Sequence, residues 1–228
     1  MFSGQGSHYY YMAADLFKTN ATFRKTLLEL DEIALGVNGK SIVRELYHPE
    51  KNAKDWFDET IFTHPAIVMV EYALAKVLEE NGVKPDYILA TSMGSFAAAA
   101  VSGAYTIEQA LTSAIKQAEA LERSGIGMMI AVVEELGLYH DSPELHKNSY
   151  LGGVNFDNHF VVTSTSRKAE AVEAFLRKNY KYQLLNITTP FHSPLIDPSE
   201  STYMDFLKST DWGLKAAKSD IPLVCCIN

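Results

Sequence analysis

The chain has 228 residues, 47% of them hydrophobic, with 28 acidic against 20 basic side chains and a formal net charge of -8. That apolar content supports a large core without metal or disulfide, and the acidic balance, with no block of Lys and Arg, argues against a general nucleic-acid or anionic-membrane surface. No run of about 18 apolar residues stands out and Met1-Phe2-Ser3 opens no leader pattern, so neither membrane spanning nor export is expected.

In chain order, the first residues run straight into a glycine loop, Ser3-Gly4-Gln5-Gly6. Helical spacing of apolar residues follows over 12–18, 21–35 and 41–47, and most strongly over 64–80. Pro65 at the start of that last stretch and Gly82 just past its end punctuate it as helix boundaries. A short apolar run, Tyr87-Ile88-Leu89-Ala90, leads through Thr91-Ser92-Met93-Gly94 into the small-residue series Ser95 to Val101, which reads as strand, sharp turn and helix. A helix over 106–123 follows Gly103.

The rhythm changes at the glycine-flanked strand 128–133. Strands over 150–155 and 160–164, a helix over 168–178 and a strand over 182–188 then make a small α+β layer. The domain reading is a large unit, 1–124 and 189–228, with a smaller unit, 125–188, inserted in it. Residues 221–227 read as an apolar strand, and both ends of the chain read as cut short. Cys225 and Cys226 are neighbours too close for an ordinary bridge, which points to a reducing, cytoplasmic setting. Neither a metal-ligand cluster nor a dinucleotide loop is present, so no metal and no bound cofactor is expected.

A serine at a strand-to-helix turn has its hydroxyl lifted above the sheet and the N-terminus of the next helix aimed at it. Ala90-Thr91-Ser92-Met93-Gly94 departs from the G-x-S-x-G pattern by one methyl group. On these residues alone, Ser92 reads either as a nucleophile or as a helix cap. A nucleophilic serine needs a base, and the chain offers seven histidines. His8, His48, His140, His146 and His159 sit in polar or turn-like surroundings that suit a solvated imidazole, and His64 begins a helix. His192 stands between two prolines in Thr189-Pro190-Phe191-His192-Ser193-Pro194, a loop that presents a side chain rigidly, for structural or catalytic use. Asp197 is a weak candidate for orienting it.

Four segments together resemble the malonyl transacylase type of acyltransferase found in fatty-acid and polyketide synthesis. They are Phe2-Ser3-Gly4-Gln5-Gly6-Ser7, Thr63-His64-Pro65-Ala66, the turn at Ser92, and Phe191-His192-Ser193-Pro194. The resemblance implies an α/β fold, with an α/β-hydrolase-like large subdomain and an inserted ferredoxin-like small one. It makes Ser92 the nucleophile, His192 the base, and the backbone N–H groups of Gln5 and Met93 the oxyanion hole. It places Thr91, His64 and Phe191 around the substrate pocket. It also has a backbone carbonyl around Cys225 and Cys226, rather than an acid, orient the histidine.

Substrate expectations come from the departures. The resembling family usually has histidine before the nucleophile and glutamate after the elbow glycine, where this chain has Thr91 and Ser95. Where malonyl-selecting members carry an arginine that grips the free carboxylate, this chain has Gln117. A guanidinium pairs with a carboxylate through two charge-assisted bonds, and a neutral amide does not replace it; Gln117 reads as an altered pocket residue or as a tolerant helix position. The expectation is serine acyl-enzyme chemistry on non-malonyl acyl thioesters of acyl carrier protein, or of coenzyme A, in polyketide biosynthesis. The substrate is a phosphopantetheine-linked thioester and the outcome is hydrolysis. The alternatives are an acyltransferase that loads acyl or malonyl units, and an inactive carrier-protein docking module.

Overall fold

The structure, a computed structural model, describes residues 1–219 and 221–225. The chain packs as two compact units, Met1–Glu119 with Tyr203–Asn228, and Ala120–Thr202.

The first unit is mostly helical. Helix α1 (Ala14–Thr19) leads into α2 (Ala21–Asn38), which starts where Asn20 Oδ1 accepts from Phe23 N at 2.8 Å and stops at Gly39, whose φ of 73° few other residues adopt. Phe23, Leu27, Leu30 and Ala34 form its buried stripe. The buried Asp31 accepts from Ile42 N at 2.6 Å and Val43 N at 2.9 Å, which fixes α3 (Ile42–Leu46).

Helix α4 spans Thr60–Glu80, so it begins a full turn before the expected start at residue 64. Pro65 therefore lies inside the helix, where it forgoes one backbone hydrogen bond, and Ile61 continues the buried face that the proline was read as opening. By length and composition α4 would also cross a membrane, with mean hydropathy 1.4 over 18 residues, although Glu71 and Lys76 hid that run from the sequence reading. Yet 56% of that window is buried within the protein, as a core helix requires.

Strand β1 (Ile88–Ala90) is flanked on one side by β6 (Leu223–Cys225), in parallel register Ile88 to Leu223 and Ala90 to Cys225. On its other side Phe2 bridges in parallel, with Phe2 N donating to Leu89 O and Thr91 N to Phe2 O. Helix α5 (Gly94–Val101) packs its alanines on this sheet, with Ala97 and Ala98 fully buried. Helix α6 (Ile107–Leu121) opens on a reciprocal cap, Thr106 N to Gln109 Oε1 and Gln109 N to Thr106 Oγ1.

The second unit contains β2 (Gly127–Val132), two short helices α7 (Gly137–Asp141) and α8 (Pro143–His146), β3 (Tyr150–Phe156), β4 (His159–Thr165), α9 (Ser166–Asn179) and β5 (Tyr182–Leu184). All pairings are antiparallel, in the order β3-β4-β2-β5. This is the split β-α-β arrangement of a ferredoxin-like sheet. Strand β5 is shorter than the expected 182–188, because after Leu184 the chain turns, Ile187 N donating to Leu185 O. Residues 189–202 pack with this unit rather than with the large one, anchored by the Thr163 Oγ1 bond to Phe191 O. A 3-10 turn, Pro194–Ser199, and helix α10 (Glu200–Ser209) follow, neither of which the proline- and serine-rich sequence announces. The fold is thus α/β, a helix-rich unit built on a parallel sheet with an α+β unit inserted.

Candidate active site

Ser92 stands between β1 and α5 with a φ of 51°. Non-glycine residues rarely adopt this left-handed conformation, and it concentrates at functional turns. The bend is closed by Gly94 N to Thr91 O and Ser95 N to Ser92 O, each at 3.0 Å. Ser92 and Thr91 are exposed while Met93 and Gly94 are buried. The alanine at the first position of the pentad fits without difficulty, since Ala90 buries its methyl against Ala98 and Val101 of α5.

The N-terminal loop presses on this turn. A Cβ on Gly4 would stand 2.9 Å from Thr91 O and 3.0 Å from Ser92 Cβ, and one on Gly94 would stand 2.6 Å from Ser3 O. Only glycine permits both approaches. Side-chain hydrogen bonds hold the loop: Ser3 donates from N and Oγ to Glu71 Oε1, at 2.5 and 2.7 Å, and Gln5 Nε2 donates to Thr63 Oγ1 at 3.1 Å. Burial pushes the Glu71 carboxyl above the usual range, against the lowering effect of the two Ser3 bonds. Sequence reading missed Glu71, whose only signal was a carboxylate in the middle of an apolar helix.

Two histidines sit differently from expectation. His8, read as solvated, is buried, with its Nδ1 accepting from Gly6 N at 3.3 Å and its ring edge-on to Phe57. His64, read as the start of a helix and implied by the resemblance to stand around the substrate pocket, lies inside α4 and is fully buried. Burial, with a smaller push from His8, lowers its pKa to about 3 and keeps it neutral.

On α6 Gln117 is half-buried, one turn after Ser113. Its neighbour Lys116 is paired with Glu119 at 2.8 Å and so is already engaged. The backbone of Cys225 lies in register with Ala90, two residues before Ser92; Cys226 lies outside the described residues.

Phe191 and His192 belong to the second unit. Phe191 is buried with Leu121, Met129 and Ile187. Pro190 crosses Gly127 so closely that a Cβ there would stand 2.5 Å from the proline's own, and Ser193 Oγ donates to Pro190 O at 2.7 Å. At the apex of this braced loop His192 takes a φ of 54° and is exposed. What burial its ring has lowers its pKa from the ordinary histidine value, which favours the neutral imidazole. Asp197 is exposed in the 3-10 turn. Among the described residues no group of three or more His, Cys, Asp and Glu side chains could hold a metal ion.

A family model described as acyl transferase domain matches residues 1–214. The polyketide biosynthesis acyltransferase homolog PksD of Bacillus subtilis is 46% identical over 226 residues, covering 98% of this chain and 68% of that protein. The homolog BaeD of Bacillus velezensis is 43% identical over 209 residues, covering 91% of this chain and 64% of that protein. The chain therefore spans about two thirds of the length of these relatives. Among solved structures, the acyltransferase domain of SpnD in complex with 2-(pent-4-yn-1-yl)malonyl superposes with a TM-score of 0.83 at 24% identity, over 98% of this chain and 52% of that one. The malonyl CoA-acyl carrier protein transacylase of Burkholderia pseudomallei gives 0.81 at 25% identity, over 98% and 74%. A family match over residues 1–214, joined by relatives above 40% identity and by this fold, leaves one assignment: the chain belongs to the acyl transferase domain family.

Proposed function

We propose that the chain forms an acyl-enzyme on Ser92 and releases the acyl group by hydrolysis, editing acyl carrier proteins of a polyketide pathway in the cytoplasm. The observation that carries this is the backbone of Ser92, left-handed at an exposed strand-to-helix turn with Gly4 packed against its Cβ. A serine that only capped a helix would take an ordinary extended conformation and would not need a glycine loop on top of it.

In this reading the Ser92 hydroxyl attacks the carbonyl carbon of a phosphopantetheine-linked acyl thioester while His192 takes its proton. A neutral imidazole suits that role, and the downward shift of the His192 pKa favours that form. The oxyanion is met by the N–H groups of Gln5 and Met93, neither of which donates to an acceptor among the described residues. Collapse expels the thiol, which recovers the proton from His192. Water then attacks the ester, again deprotonated by His192, and frees the carboxylic acid and Ser92. Every group is supplied by the chain, the thioester or water, so no bound cofactor is called for.

The preference for non-malonyl groups rests on α6, whose only cation, Lys116, is paired with Glu119. A malonyl carboxylate brought beside Gln117 would lack the bidentate partner that offsets its desolvation. Acyl-coenzyme A carries the same thioester and is the second substrate source. A transferase that passes the acyl group to a carrier thiol shares the first half-reaction, and the names of PksD and BaeD favour it. Intact-mass spectrometry of the protein mixed with acetyl- and malonyl-loaded carrier protein separates the readings. Acetyl on Ser92 followed by free acetate is expected; malonyl held on Ser92 and passed to a fresh carrier thiol would overturn the hydrolytic, non-malonyl reading. A Ser92→Ala chain that still gained the acyl mass would overturn the nucleophile.

A further inference from the structure

Between α5, α6 and α10, wholly within the first unit, lies a cleft of about 220 Å³. Helix α5 contributes Ser95, Phe96 and Ala99, and α6 contributes Ala110 and Ser113. Tyr105 and Trp212, in edge-to-face contact at 6.4 Å, add aromatic surface, and Leu207 adds an aliphatic one.

The chemistry of the lining selects its occupant. No charged residue lines the cleft. Its polar groups are largely engaged with the protein: Ser113 Oγ and Tyr203 OH share a hydrogen bond at 2.7 Å, Tyr105 OH donates to Gly213 O at 3.5 Å, and Gln109 Oε1 accepts from Thr106 N. An occupant therefore gains from leaving water and from dispersion, not from pairing, and a carboxylate there would be uncompensated.

The cleft also lies close along the chain to the acylated position of the proposed reaction. Ser95 is the second residue of the elbow helix, its N–H donates to Ser92 O, and Phe96 N donates to Met93 O. On α6, Ser113 is one turn from Gln117 on the same face. With roughly 30 Å³ for a methylene-sized unit, as for a water molecule, the volume holds about seven such units.

We infer that this cleft receives the distal part of a straight, uncharged acyl chain carried on Ser92, so the substrates are thioesters of medium-length linear acids rather than acetyl or dicarboxylic units alone. The inference rests on Ser92 as the nucleophile. The hydroxyl pair Ser113–Tyr203 is one of the few polar features of the lining, beside Ser95, Gln109 and the Tyr105 hydroxyl.

The test follows acylation of Ser92 by intact mass with acetyl, butyryl, hexanoyl and octanoyl N-acetylcysteamine thioesters. Each methylene moved out of water is worth a factor of up to about four, so the octanoyl rate is expected to exceed the butyryl rate at least tenfold. Two variants that fill the cleft, Ala99→Phe and separately Ala110→Leu, are expected to cut that octanoyl-to-butyryl ratio by at least tenfold. A ratio is insensitive to any general loss of activity.

Trp212 supplies a readout that needs no turnover. In a Trp56→Phe background, a non-hydrolysable octanoyl-pantetheine amide is expected to change its fluorescence saturably, and the malonyl amide to leave it unchanged. An unaltered ratio in both variants, with Ser92 still acylated, would overturn the cleft and leave the nucleophile standing; no fluorescence response to the octanoyl amide would also overturn the cleft. Failure of every thioester to label Ser92 would overturn both.

Discussion

Replacing Gly4 by alanine adds a single methyl group at the point where the N-terminal loop meets the serine turn. That methyl would lie 2.9 Å from Thr91 O and 3.0 Å from Ser92 Cβ, both backbone-fixed atoms with little room to give. Carbon and oxygen in ordinary contact stand about 3.5 Å apart, so the loop must withdraw by roughly half an ångström. Gly4 itself has no left-handed φ, so alanine brings no backbone penalty of its own. What the shift displaces is the neighbouring Gln5 N–H, and losing one such donor costs about 10²- to 10³-fold in rate. Gly4→Ala is therefore expected to slow acylation of Ser92 by about a hundredfold, followed by time-resolved intact mass with an excess of thioester. Its urea midpoint should fall far less than its rate, because the strain is confined to the contact between this half-buried loop and the serine turn. Acylation within threefold of the parent would refute both the oxyanion role of this loop and the steric argument.

Glu71→Leu removes the acceptor of the Ser3 N–H and hydroxyl while keeping an apolar helix face, and leaving those donors unpaired is expected to cost about 1–3 kcal/mol in urea unfolding together with slower acylation; Ser3→Ala, which keeps the backbone bond, should do markedly less. For His64 the folded pKa of about 3 lies below the ordinary 6.5, so the unfolded chain binds the proton that the folded chain refuses. Stability is then full above pH 6.5 and lost as pH falls, by roughly 2 kcal/mol at pH 5. Chemical denaturation between pH 7 and 5 reads that loss, and a His64→Gln chain showing the same slope would count against the assignment.

The parts of the site legible in the sequence are those where backbone geometry restricts residue type. Gly4 and Gly94 are glycines because another chain passes within 3 Å of where a side chain would begin, and Pro190 and Pro194 bracket His192 because the loop must be stiff. Such constraints leave local signatures. Burial decided by distant partners leaves none, which is why His8 read as solvated although Phe57 covers it, and why Glu71 went unremarked although it holds Ser3 from another part of the fold. Pro65 misled for a related reason: proline is common at helix starts, but a helix whose early turns are packed in the core tolerates one a little further in. Strand β5 read too long because regular pairing stops at Leu184, although single backbone bonds, Leu185 N to Met129 O and Gly127 N to Thr188 O, still tie the next residues to β2, and apolar alternation does not tell the two apart.

The parallel pairing of β1 with β6 joins positions far apart in the chain. As the polypeptide leaves the ribosome, Ile88 to Ala90 emerge with Phe2 as a neighbour on one side, and the other side stays bare until Leu223 to Cys225 arrive. The whole Ala120–Thr202 unit is made in between and has its own sheet and core to fold on. Pairing across so long a loop is slow. The strand that carries the serine turn is thus completed only after the second unit has been made, and the nascent chain exposes an apolar strand edge for that interval, a natural point for a chaperone to bind.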